Sequence, residues 1–372
     1  MTRTGSTRSA ATLFAAGLLA ACGGGGSSGG SYSAMTTGAT GYVATHLVAD
    51  VNGSANPYSA GNVDPLLVNA WGLAFNPQGF AWVANAGTST STLYDGNGVR
   101  QAPVVTIPAG VAGSASPTGI VFNPAAGFMV TQAGVTAPSV FIFVGQAGTV
   151  AAWSPTVNAT AALTVVDRGA AGTIYKGAAL APTAAGTLLY ATDFHNAKVD
   201  VFDSNFAPVA APGGFVDATL PAGYAPFGIQ AIGASIYVTF AKQDALAHDS
   251  VDGAGLGIVD VFDTGGNLVK HLVGAGGALN APWGIARAPA DFGAFSNALL
   301  VGNLGDGRIN AFDPASGTLL GTLATSGSPI AIDGLWGLAF GNGIDAQPAN
   351  TLFYAAGPTG GTHGVYGRID SR

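Results

Sequence analysis

The residues able to do chemistry in this sequence are gathered into a few short polar stretches between apolar runs. The densest is the segment between Phe240 and Ile258, where Lys242, Gln243, Asp244, His248, Asp249 and Asp252 fall within eleven positions of a chain that is only 8% charged. A second is Asp193-Phe194-His195-Asn196, and the ends of other apolar runs supply Asn85, Gln132, Asn303 and Asp306. Carboxylate and amide oxygens are the ligands that Ca²⁺ takes, so Asp193 and Asn303 are the candidate metal ligands. His195 and His248 are of the type that serves as a general base near neutral pH. The same Asp and Asn residues are equally suited to accept backbone N–H bonds in tight turns, and a long loop can be a solvated insertion as readily as a functional one. Both readings stay open. The Asp spacing in the long loop does not follow an EF-hand, and the sequence has no G-x-S-x-G, H-E-x-x-H, Walker A or C-x-x-C pattern.

The elements that must position these residues are short strands in a repeat. A small-residue turn followed by an apolar strand recurs six times, with marker glycines at 72, 119, 177, 228, 284 and 337, spaced by 47, 58, 51, 56 and 53 residues. Each copy has room for four strands, and six copies at that period predict a β-propeller. Second strands are expected at Ala81–Ala84, Phe128–Thr131, Leu188–Thr192, Ile236–Phe240, Leu299–Gly302 and Leu352–Ala356. Third strands end in an aromatic-Asp pair at Tyr94-Asp95, Phe202-Asp203, Phe262-Asp263 and Phe312-Asp313, each followed by a turn. The last copy stops without a fourth strand, and the spare apolar strand lies at the other end, in Tyr42–Val48. Pairing it as the outer strand of the last blade would close the ring and remove an exposed edge.

Composition agrees. Of 372 residues, 58 are Gly and 20 Pro, 48% are hydrophobic, and every one of the 19 acidic residues is Asp. Asp favours turns where Glu favours helices. No basic run or Lys/Arg–aromatic alternation occurs, which argues against nucleic-acid binding.

Residues 1–21 read as an export signal: Arg3 and Arg8, an apolar run over Ala10–Leu19, then Leu19-Ala20-Ala21-Cys22. That tetrapeptide resembles the bacterial lipobox, which implies lipidation of Cys22 and, with Gly23 next to it, sorting to the outer membrane. Cys22 is the sole Cys. Residues 22–40 then read as a Gly/Ser-rich tether and 41–372 as the propeller domain. Without Arg3 and Arg8 the chain carries 10 basic against 19 acidic residues, a net −9, so the lipid is the expected contact with the membrane rather than the acidic surface.

Asp193-Phe194-His195-Asn196-Ala197-Lys198-Val199 resembles the Asp-x-x-Asn-x-[Arg/Lys]-[Ile/Val] turn of NHL-type repeats, and Gly302–Ile309 resembles it with substitutions. Over residues 42–369 the chain looks like an uncharacterised bacterial family of secreted NHL-like propellers. The resemblance supports the six-bladed, all-β fold; in such a fold the second-strand ends and the long loop surround one channel mouth and there present Asn85, Asp193, His195, Asn196, Lys242, Gln243, Asp244, His248, Asp249, Asn303 and Asp306. The expected function is a monomeric module binding a protein, glycan or other small molecule without a cofactor. The alternative is a calcium-dependent hydrolase or lactonase of the six-bladed type; those sites resemble Glu/Asn/Asp cages, and this chain has no Glu to contribute. Trp71, Trp283 and Trp336, each preceding a marker glycine, are expected as wedges between blades or as an aromatic platform.

Overall fold

In the computed structural model, which describes residues 39–372, the chain forms six mainly antiparallel sheets plus one detached hairpin. The expected export signal, Cys22 and most of the expected tether lie outside the described residues. The tether's last residues, Ala39–Thr40, already pair in parallel with Leu323 and Ala324.

Six strands line the centre: Ala70–Phe75, Pro117–Phe122, Tyr175–Thr183, Tyr224–Ile232, Pro282–Arg287 and Leu335–Phe340. Each is the first strand of its sheet, and each packs beside the first strand of the next, with the sixth returning to the first. This is a six-bladed β-propeller. The marker glycines hold the ring together. A Cβ on Gly72 would strike the Thr118 carbonyl, on Gly228 the Trp283 carbonyl and on Gly284 the Trp336 carbonyl; on Gly337 it would lie 2.7 Å from the Trp71 carbonyl oxygen. Gly119 and Gly177 face the backbone at Ala178 and Phe227 in the same way, at 2.6 and 3.0 Å. Each glycine thus receives the backbone of the following blade, an approach that a side chain would block. None of the six has a positive φ, so close approach rather than backbone conformation demands glycine.

Ring closure follows the sequence reading. Tyr42–Ala49 is the outer strand of the last blade, antiparallel to Val365–Ser371 with Tyr42 opposite Ser371 and Ala49 opposite Val365. The Tyr42 hydroxyl donates to the Phe292 carbonyl (2.7 Å) and accepts from the Phe295 N–H (3.0 Å), fastening the closing strand to blade 5. The aromatic-Asp pairs divide their work. Tyr94, Phe202, Phe262 and Phe312 are buried between blades, each contributing about 1.5–3 kcal/mol of apolar burial. The adjoining Asp95, Asp203, Asp263 and Asp313 point outward and accept two backbone N–H bonds each in the following turn.

Two expectations are corrected. In blade 2 the second strand is Phe141–Gly145, not Phe128–Thr131. Met129–Gln132 instead pairs with Val135–Pro138 in the detached hairpin, turning at Gly134 with φ +82°. Both segments are short apolar runs, but only Phe141–Gly145 buries every residue. Blade 3 has three strands rather than four. After Phe202 the chain turns back only far enough to bridge Phe202 at Pro208, with the Val209 N–H on the Val201 carbonyl, and then leaves the blade, residues 213 and 215 bonding to the Gly265 and Gly266 carbonyls of blade 4.

Candidate functional site

The residues just before the marker glycines are Trp71, Thr118, Lys176, Phe227, Trp283 and Trp336. Four of these are aromatic and meet across the channel. Trp71 stacks on Trp336 with centroids 3.6 Å apart, Trp283 stands edge-on to both, and Phe227 meets Trp336 at 5.8 Å. Trp71 and Trp336 are almost fully buried, so they close the channel as a floor rather than offering an open stacking face.

Lys176 lies within this floor. Its side chain is 1% exposed, and its ammonium sits 5.3 Å from the Trp71 ring and 5.9 Å from the Phe194 ring. It donates to Asp249 Oδ1 (2.9 Å) and Gln146 Oε1 (3.2 Å). Burial pulls the Lys176 ammonium below its ordinary pKa, and the Asp249 charge partly restores it. Burial alone would push Asp249 up, but Lys176 and then His248, 2.8 Å away, outweigh this and hold it below the usual carboxylate range. The long loop of blade 4 therefore serves to carry Asp249 over the channel. Asp244 Oδ1 organises it by accepting the Leu246 and His248 N–H groups, and Gln243 ties it to blade 3 through the Phe194 and His195 carbonyls.

Above the floor is a cavity of about 540 Å³, within the range of small-molecule sites. Its walls bring carboxylates from two blades, Asp249 and Asp252 from the long loop and Asp333 from blade 6, beside His248 and the unobstructed Gly360. Burial and the nearby Asp306 charge raise the Asp252 pKa. The site combines an aromatic base, one buried cation and an acidic rim. That set suits a ligand rich in hydroxyl donors and acceptors.

Of the residues expected at this mouth, His248 and Asp249 line the cavity and the others do not. Both Asp193 oxygens are occupied: Oδ2 accepts from Thr173 and from the Asn196 amide, and Oδ1 from the backbone of Ile174 and Asn196. Asn196 thus serves the turn, and His195 follows Asp193 within it. The Asn303 amide donates to Asp306 and the Ala278 carbonyl, and Asn85 to Thr90 and Thr92. Asp193 and Asn303 sit at the turns that follow the second strands of blades 3 and 5, where Asp193 is fully engaged and the Asn303 amide oxygen is buried without a partner. Lys242 ends its strand exposed. Gln132, on the detached hairpin, accepts from the Asn158 amide beyond Thr149–Trp153 of blade 2. Lys176 was absent from the expected set, although it occupies the same position before a marker glycine as the three tryptophans.

No family model matches the chain. Three proteins of Acanthamoeba polyphaga mimivirus resemble it. Uncharacterized protein R648 is 36% identical over 318 residues, 83% of this chain and 76% of that protein. Uncharacterized protein L690 is 34% identical over 290 residues, 75% of each. Among solved structures, a Bacteroides thetaiotaomicron protein of unknown function superposes with TM-score 0.55 and 11% identity over 89% of this chain and 76% of that one, a likeness of fold. A streptogramin B lyase structure covers 89% of this chain and 98% of its own at 10% identity, but its TM-score of 0.48 carries no argument about reaction. The chain belongs to the protein family represented by mimivirus R648 and L690, and its fold is a six-bladed β-propeller.

Proposed function

We propose that this chain is an exported, monomeric binding module, held in a bacterial envelope by a lipid on Cys22, that captures a hydroxyl-rich ligand such as a glycan at the channel mouth. The observation that carries the binding part is the cavity itself: an aromatic floor holding the Lys176–Asp249 pair, under the rim of Asp252, Asp333 and His248. Carboxylates accept hydroxyl hydrogen bonds, and the buried aromatic floor sets an apolar base beneath them. Export and anchoring rest on the Arg3/Arg8 end, the apolar run and Leu19-Ala20-Ala21-Cys22. The matched relatives are viral, so the bacterial envelope is inferred from this segment alone.

Three of the five tryptophans form the floor, so intrinsic fluorescence reports on the site. Titration against a panel of neutral and acidic oligosaccharides should give a saturable change for at least one, weakened about tenfold or more by Asp249→Asn with Asp252→Asn. A panel with no binder, or binding indifferent to both substitutions, would sink this reading, as would steady turnover of lactone or ester substrates by the wild-type protein. The anchor has its own check. Full-length chain expressed in a Gram-negative host should incorporate labelled palmitate and partition with membranes, and Cys22→Ala should do neither.

A further inference from the structure

Away from the channel, three side chains from separate segments meet on the outer part of blade 4. Asp260 is on its third strand, Ile258–Phe262, and His271 is directly opposite on its fourth, Leu268–Val273. Asp217 arrives on the chain that left blade 3, where that blade lacks a fourth strand. Ladder irregularities flank Asp260 on both sides, the kind of local distortion that re-aims a side chain.

The electrostatics here are incomplete. His271 Nδ1 is 2.9 Å from Asp217 Oδ2 and 2.8 Å from Asp260 Oδ1. One ring nitrogen carries at most one proton, and its hydrogen bond goes to Asp217. Both oxygens of Asp260, whose side chain is 0% exposed, are then buried without a hydrogen-bond partner, although buried carboxylates ordinarily find one. Asp217 is fixed independently, its Oδ1 accepting from the Thr219 N–H (2.7 Å) and hydroxyl (2.6 Å). Burial, against the opposing pull of His271, pushes the Asp260 carboxyl up to about 7. A cation would supply the missing partner. Among the described residues this is the one place where three His, Cys, Asp or Glu ligand atoms come within 4.8 Å of one another.

We propose that Asp217, Asp260 and His271 bind one divalent transition-metal ion, with Zn²⁺ the best fit. An imidazole nitrogen with two carboxylate oxygens is a zinc-type donor set, and the nitrogen disfavours Ca²⁺ and Mg²⁺. Tetrahedral coordination at about 2.0–2.1 Å separates ligand atoms by about 3.3 Å, so the two His271–carboxylate separations of 2.9 and 2.8 Å need open by only about 0.5 Å. Binding requires Nδ1 unprotonated, with the ring proton on Nε2, and both carboxylates ionised; any proton held there is released to solvent. His271 is 38% exposed, leaving a side open for water as the fourth ligand. The ion would tie the segment around Asp217 to blade 4, in place of the strand that blade 3 lacks.

The test uses full-length protein stripped with chelator and dialysed. Zn²⁺ titration by calorimetry should show one ion per chain, retained against millimolar Ca²⁺, with a raised melting temperature. Co²⁺ should give the visible bands of a four-coordinate N/O site. His271→Ala and the near-isosteric Asp260→Asn should each weaken Zn²⁺ binding more than tenfold and abolish the Co²⁺ bands. Failure of wild-type protein to take up Zn²⁺ stoichiometrically, or uptake undiminished in both variants, would overturn the site and leave an ion triad only. Should a variant fold poorly, the wild-type Co²⁺ spectrum decides: six-coordinate, water-like bands also overturn it.

Discussion

Gly228→Ala is expected to destabilise the propeller by more than about 3 kcal/mol, the upper part of the range for overpacking a core. A Cβ there would enter the space of the Trp283 carbonyl, a backbone group of the next blade that cannot rotate aside, and would also meet Thr239 Oγ1 at 2.9 Å. Thr239 Oγ1 in turn accepts the Gly228 N–H at 2.8 Å, so that bond is lost if the strand retreats. Gly177→Ala supplies the graded control. Its nearest contact, the Phe227 carbonyl oxygen, lies at 3.0 Å, and a shift of a few tenths of an ångström relieves it at a cost of about 1 kcal/mol. Urea unfolding of the two variants at matched m-values measures the difference. If Gly228→Ala unfolds within about 0.5 kcal/mol of wild type, the blades are not held at their closest approach by these glycines.

The same glycines explain why so much of the fold was legible. Their period reflects the same close approach of neighbouring blades, tightest at Gly228 and loosest at Gly177, repeated while the intervening sequence varies from copy to copy. The aromatic-Asp pairs were legible for a similar reason: burial and turn capping are both local demands on adjacent residues. Blade 2 was misread because Phe128–Thr131 and Phe141–Gly145 have the same apolar character, and only packing distinguishes them. The missing strand of blade 3 left no local trace, since its replacement is held by bonds to blade 4.

The site was less legible than the scaffold. Asp193 has ligand chemistry, but its oxygens are taken up by Thr173 and the backbone and amide of Asn196, whereas Asn303 spends only its NH₂ on Asp306 and Ala278 and leaves its amide oxygen unpartnered. Charge density in the long loop did point to Asp249 and His248. It gave no partner for them, because Lys176 lies 73 positions away in sequence. Asp217, Asp260 and His271 are likewise brought together only by the departure of the chain from blade 3.

Asp249→Ala should cost about 1–3 kcal/mol of stability, whereas Lys176→Met should be neutral or stabilising and should erase most of the effect of the Asp249 change. Removing the carboxylate strands an ammonium whose side chain is 1% exposed, while Asp249 itself is 63% exposed. That exposure lets water partly replace it, which puts the cost below the figure of about 3–5 kcal/mol for opening a fully buried pair. Lys176→Met removes the need for a partner and keeps the volume beneath Trp71 filled. The pH dependence separates this from a mere packing defect. The folded-state pKa of Asp249 is depressed, so its contribution is present above the unfolded carboxylate value and is lost as pH falls through the lower folded value. The folded-state pKa of Lys176 is also depressed, so the native protein releases its proton before the unfolded chain does, and the burden of the stranded charge lifts as pH rises toward the unfolded lysine value. The deficit of Asp249→Ala against wild type should therefore be widest near neutral pH and narrow at both ends. Urea denaturation at acidic, neutral and alkaline pH tests it, and a deficit that is flat with pH, or that persists in the Lys176→Met background, would mean that Asp249 stabilises the loop for reasons unconnected with the buried cation.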